Sequence, residues 1–152
     1  MEQKEMILAG LQGIVTGLSQ QADGHVIQSR IFAGKGLTKL ADKYAEHAVE
    51  ERCYVDQCID RILDLGGEVK NEAKASAPVY TDPIEWVKYD LQVSIEGLAG
   101  LEALIGAAVG DFVTYDLLVD YYKDEEEDLH WGEQQLALIE VIGKQNWLLQ
   151  QL

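Results

Sequence analysis

Residues 37–67 read LTKLADKYAEHAVEERCYVDQCIDRILDLGG, and this stretch decides the fold. Its apolar residues recur at steps of three and four, the spacing of one face of an α-helix. The pair Gly66-Gly67 is typical of a helix C-terminus. The inward face comprises Leu37, Leu40, Tyr44, His47, Glu51, Tyr54, Cys58, Ile62 and Leu65. Glu51 is therefore predicted to lie inside a helical bundle, where an apolar side chain is the usual occupant.

Three further segments carry the same period and predict an all-α bundle of four long helices. The first runs from about Gln3 to Phe32, and Thr38 is predicted to cap the second. Residues 66–82 form a long connection before Pro83, which suits the first turn of the third helix. A connection of this length implies a crossover, so the third helix runs parallel to the second in an up-down-down-up bundle.

The fourth helix is predicted to run from a cap at Asp111 to about Ile142. Its inward face comprises Leu118, Tyr121, Glu125, Asp128, Gly132 and Ile139. Gly143 then separates a short fifth helix in the apolar tail, which is predicted to dock on the bundle or on a neighbouring subunit. We expect residues 1–152 to form a single domain.

The composition narrows the classes of partner. The formal net charge is −15, which argues against nucleic acid and favours cations, because phosphate binding needs clustered Lys and Arg. No apolar run approaches the roughly 20 residues of a membrane span. We therefore expect a cytoplasmic protein whose Cys53 and Cys58, on different faces of one helix, stay reduced.

Carboxylates on inward faces need a partner. An unpaired carboxylate costs several kcal/mol to bury, so Glu51 and Glu125 are expected to be paired, protonated or bound to metal. The candidate metal ligands are Glu51, Glu125, Asp128, His25, His47 and Cys58. Carboxylates favour iron or manganese, whereas imidazole or thiolate favours iron or zinc.

Motifs along nearly the whole chain resemble the ferritin-like superfamily, and bacterioferritin most closely. They include Arg30-Ile31-Phe32, IDRILDLGG at residues 59–67, Asp124-Glu125-Glu126, Trp131 and GKQNWL at residues 143–148. The resemblance implies a homo-oligomer, a two-fold dimer or a 24-subunit cage, that stores iron oxidised at a di-iron centre. The tail is then the family's short fifth helix.

The chain departs from the family at that centre. The family places a glutamate on the first and third helices and Glu-x-x-His on the second and fourth. The matching positions here are Leu18, Glu51, Tyr54, Ser94, Glu125 and Asp128, so four of the six ligands are replaced. The family's haem-ligating methionine matches Arg52, so we expect no haem.

Three hypotheses follow from these departures. The first is an iron-storage subunit with impaired or absent ferroxidase activity. Such a subunit either contributes an acidic surface that nucleates iron or assembles into a hetero-oligomer with an active ferritin subunit. The second is an altered metal site for iron, zinc or manganese, built from His25 and Cys58 with the inward carboxylates. The third is a metal-free bundle in which Tyr54, Ser94 and Asp128 hydrogen-bond the glutamates and one carboxyl is protonated.

Each candidate also has a structural explanation. His25 can be a hydrogen-bonded core histidine, and His47 can pair with Glu51 one turn away. Cys58 can be a small core residue. The acidic run at residues 124–128, like Glu46 and Glu50, can be a solvated helical face.

Overall fold

A computed structural model describes residues 2–152, and every regular element in that range is an α-helix. The helices are α1 (Gln3–Gly34), α2 (Thr38–Asp64), α3 (Pro83–Ala107), α4 (Phe112–Ile142) and α5 (Lys144–Leu149). The prediction of four long helices and a short fifth is confirmed. None of these helices combines the length and hydropathy that a membrane span requires.

One of the two predicted helix caps, Asp111, is present, and Asp82 forms a further cap that was not predicted. The Asp82 side chain, just before Pro83, accepts from the backbone N–H of Ile84 at 2.9 Å, and that of Asp111 accepts from the N–H of Thr114 at 3.2 Å. The predicted cap at Thr38 is wrong. The Gly36 turn, at φ 80°, brings Leu37 into the capping position, where its carbonyl accepts from Ala41 at 3.0 Å.

The helix directions follow from two apolar clusters, one at each end of the bundle. The first, which contains Leu11, Ile62, Leu101 and Leu118, joins the starts of α1 and α4 to the ends of α2 and α3. The second joins the opposite ends, and its buried members include Phe32, Leu40, Tyr44, Trp86, Ile139 and Trp147. α1 and α4 therefore run in one direction and α2 and α3 in the other, which confirms the up-down-down-up order.

The connection between α2 and α3 runs along the side of α1. Gln12 exchanges hydrogen bonds with the backbone of Lys70 at 3.0 and 2.8 Å. Four turns further along α1, Gln28 exchanges hydrogen bonds with the backbone of Tyr80 at 2.8 and 2.9 Å. The link thus carries the chain back along the bundle, as the crossover predicts.

The tail docks on its own bundle. Trp147 of α5 is completely buried, and its Nε1 donates to Gln135 Oε1 of α4 at 3.0 Å. The backbone N–H of Lys39 donates to the carbonyl of Gln151 at 2.8 Å. These contacts close the end of the bundle that holds the aromatic cluster.

Candidate metal centre

A polar layer lies between the two apolar clusters. It is formed by His25 on α1, His47 and Glu51 on α2, Asp90 on α3, and Glu125 and Asp128 on α4. The first three and Glu125 are buried, whereas Asp90 and Asp128 are partly exposed. The helical period places all six side chains in or beside the inward stripes, so the layer is a direct consequence of the sequence pattern.

His25 lies between two carboxylates. Its Nδ1 is 2.5 Å from Glu51 Oε1, and its Nε2 is 2.7 Å from Asp90 Oδ1. The second oxygen of Glu51 accepts from Gln21 Nε2 at 2.6 Å. Both oxygens of Glu51 are therefore satisfied, and both ring nitrogens of His25 are hydrogen-bonded.

The electrostatics of this triplet favour an imidazolium. Burial alone lowers the pKa of His25, but the charge of Asp90 and the hydrogen bonds to Asp90 and Glu51 raise it well above 6.5. Burial raises the pKa of Glu51 as well. We assign the shared proton to the imidazole because only the charged ring can donate to both carboxylates at once.

Glu125 has no such partner. Its Oε1 is buried and accepts no hydrogen bond from residues 2–152. Burial, together with the charges of Glu51 and Asp128, raises the pKa of Glu125 to about 9. Burial and the charges of Asp124 and Glu50 raise that of Asp128 to about 8. The Glu125 carboxyl is therefore neutral at pH 7.

His47 is buried among aromatic rings without a hydrogen bond. Its ring lies 5.5 Å from Tyr44 and 5.8 Å from Trp131, between centroids. Its Nε2 is 3.3 Å from Asp128 Oδ1, but the geometry is not that of a hydrogen bond, and neither ring nitrogen has another partner in the described chain. Burial and the charge of His25 lower the pKa of His47 to about 3. The predicted pairing of His47 with Glu51 is wrong, because the ring points toward α4.

The remaining predicted residues lie away from these contacts. Cys58 is buried in the first apolar cluster, and burial raises the pKa of its thiol to about 12. Tyr54 donates to the backbone carbonyl of Asp120 at 3.3 Å. Ser94 is buried on α3. The metal-free hypothesis expected Tyr54 and Ser94 to donate hydrogen bonds to the glutamates. The structure differs, because the oxygens of Glu51 contact Gln21 and His25 instead and Tyr54 donates to Asp120.

Two groups of side chains bring possible ligand atoms within 4.8 Å of one another. One consists of His25, His47 and Asp90, and the other of Glu50, Asp124 and Asp128. Neither includes Cys58, which lies two turns from Glu51, about 10 Å along α2. Asp90 was missed in the sequence, although its position three residues after Val87 and four before Ser94 is an inward-stripe spacing.

Residues 20–142 match the ferritin-like domain family. The chain belongs to this ferritin-like family. It is 36% identical to a bacterial ferritin of Neisseria meningitidis serogroup B over the full length of both chains. It is 32% identical to a bacterial ferritin of Synechocystis, which covers 100% of this chain and 99% of the relative. A bacterioferritin of Rhodobacter capsulatus is 28% identical over 95% of this chain and 89% of its own length.

The residues of this ferritin-like chain do not fit the family's di-iron centre. Leu18 is packed in the first apolar cluster and offers no ligand atom, and Tyr54 is turned toward the α4 backbone. Of the two bridging carboxylates, Glu51 is already held by Gln21 and His25, and burial raises the pKa of Glu125 to about 9. At the position that the resemblance matches to the family's haem ligand, Arg52 pairs with Asp23, and a guanidinium has no lone pair for iron.

Proposed function

We propose that this chain is a subunit of an iron-storing ferritin-like cage and has no working ferroxidase centre of its own. The observation that carries the proposal is the His25 ring, whose two nitrogens contact Glu51 and Asp90. It supplies the positive charge that a bridging metal ion would otherwise bring to Glu51. The buried carboxylate is thereby stabilised without iron.

Storage needs a surface that attracts iron ions, and this ferritin-like chain offers one. Glu50, Asp124 and Asp128 come together at a partly exposed position between α2 and α4. Burial and the charges of Asp124 and Glu46 raise the pKa of Glu50 to about 7, so an arriving cation relieves the repulsion within this group. Hard oxygen ligands of this kind suit iron as the stored substrate.

Assembly into an oligomer is supported by the apolar surface. Val26 and Val49 line a groove of about 400 Å³ between α1 and α2, and Val49 is 72% exposed. Phe112 and Val113 form a second exposed apolar site at the start of α4. Contiguous apolar surface of this kind marks an interface in a folded protein. We propose a homo-oligomer, or a hetero-oligomer in which another ferritin subunit oxidises the iron.

The test is iron(II) oxidation by oxygen, followed on the purified oligomer whose mass is first measured by native mass spectrometry. We expect slow oxidation with no fast phase at two irons per chain. Mixed assembly with an active bacterial ferritin subunit is expected to restore a fast phase in proportion to the active subunits, followed by mineral growth. A fast phase at two irons per chain in the homo-oligomer would refute the proposal.

A further inference from the structure

We infer that His25, His47 and Asp90 form a site for one divalent transition-metal ion of the Zn²⁺ or Fe²⁺ class, with the fourth position left to water. Ligand atoms of the three residues lie within 4.8 Å of one another. Metal-ligand bonds of about 2.0–2.1 Å place neighbouring ligand atoms of a tetrahedron about 3.3 Å apart. The ligand atoms of His25, His47 and Asp90 therefore need to approach one another by about 1.5 Å or less to reach this spacing.

The unpartnered imidazole of His47 points independently to a ligand. The side chain is only 2% exposed, and both ring nitrogens lack a hydrogen-bond partner in the described chain. Buried polar atoms in folded proteins are almost always satisfied. The ring edge faces Asp128, and the His25 ring lies 5.6 Å away between centroids. A metal ion bound to one ring nitrogen of His47 gives that nitrogen a partner.

The environment of His25 is that of a metal-ligating histidine. Its Nδ1 is held by Glu51, which leaves Nε2 directed at Asp90. A carboxylate on the far nitrogen is the usual way to orient a histidine toward a metal. The ion displaces the proton on Nε2, so one proton is released to solvent for each ion bound. Nε2 and Asp90 Oδ1 then separate from 2.7 Å to about 3.3 Å, which small side-chain rotations can supply.

This site is different from the family's centre and is reached separately. Asp90 lies four residues before Ser94, and His47 lies four before Glu51, so each is one turn away, about 6 Å along the axis. A cleft of about 130 Å³ between α1, α3 and the crossover link reaches Gln21 and Asp90. Asp90 retains 14% exposure, which gives an ion a route to the buried imidazoles.

The donor set selects the class of ion. Two neutral imidazoles with one carboxylate suit zinc and iron(II), whereas magnesium and calcium prefer oxygen donors alone. Zinc binding needs no oxidation step, and the site holds one ion. The inference is therefore compatible with a chain that lacks ferroxidase activity, and it can fail while that proposal stands.

The test uses the intact oligomer after treatment with a chelator. Zn²⁺ is titrated calorimetrically, and bound metal is counted after desalting. We expect one tightly held zinc per chain in the natural protein. His47→Ala should weaken the binding at least about a hundredfold, because loss of a mere supporting residue costs 10- to 100-fold. His130→Ala, the same change at an exposed histidine, should have no effect.

Three further variants make the result decisive. Asp90→Asn keeps the shape of the side chain and should reproduce the loss even if His47→Ala fails to fold, as judged by circular dichroism. Glu125→Gln and Asp124→Asn should retain the tight zinc, because they alter only the family's bridging position and the acidic group. No tight zinc, binding unchanged by Asp90→Asn, or binding abolished by Glu125→Gln or Asp124→Asn would overturn the inference.

Discussion

The interior of the bundle contains two sets of positions, and they differ in whether their side chains are neutral or carry charge and imidazole nitrogen. At the positions that match the family's centre, Leu18, Tyr54 and Ser94 have replaced ligands by apolar or neutral side chains. Toward the aromatic end, the cluster of His25, His47 and Asp90 concentrates charge and imidazole nitrogen. A bundle can thus lose metal ligands at one level and gain possible ligands one turn away without a change of fold.

The two sets also differ in how their glutamates are stabilised. Glu51 reaches the histidine cluster and is satisfied by Gln21 and His25. Glu125 Oε1 has no hydrogen-bond partner among the described residues, and burial keeps the carboxyl neutral. A proton therefore stabilises each carboxylate, but through an ion pair in one case and by direct protonation in the other.

The largest expected effect is that of His25→Ala. This change leaves Glu51 and Asp90 without their shared cation, and breaking a buried ion pair costs about 3–5 kcal/mol. Tyr54→Phe at the family-centre positions should cost about 1 kcal/mol or less, because it removes one long hydrogen bond. Denaturant unfolding of chelator-treated protein, at fixed protein concentration, measures both. Equal losses of unfolding free energy in the two variants would contradict the difference between the histidine cluster and the family-centre positions.

An effect of comparable size at pH 8 is expected for Glu125→Gln, and it should depend on pH. The raised pKa means that the folded chain keeps this proton between pH 4.5 and about 9, while the unfolded chain loses it. The natural carboxyl therefore destabilises the metal-free fold progressively as pH rises, with a slope of at most about 1.4 kcal/mol per pH unit.

Glutamine does not titrate, so Glu125→Gln should gain stability relative to the natural protein at pH 8 and gain little at pH 4.5. Unfolding curves of metal-free protein at the two pH values give this difference. Glu133→Gln, at an exposed position on the same helix, is the control and should show no such trend. A gain for Glu125→Gln that is the same at both pH values would mean that the Glu125 carboxyl does not carry the proton.

The sequence alone predicted the helices and their directions, because the apolar period, the Gly66 terminator and the long link at residues 66–82 are local signals. It also predicted that Glu51 and Glu125 lie inside. It could not predict which groups meet, since that depends on the rotation and relative height of neighbouring helices. Asp90 was therefore missed as a partner of His25, and His47 was assigned to Glu51 on its own helix rather than to Asp128 across the bundle.

The separation between the two levels is tested most directly by anomalous scattering from crystals of the chelator-treated oligomer soaked in Zn²⁺. We expect one peak per chain in the interior of the bundle, bounded by His25, His47 and Asp90. A pair of peaks bridged by Glu51 and Glu125, or an empty histidine cluster, would contradict the shift of the metal site away from the family's centre.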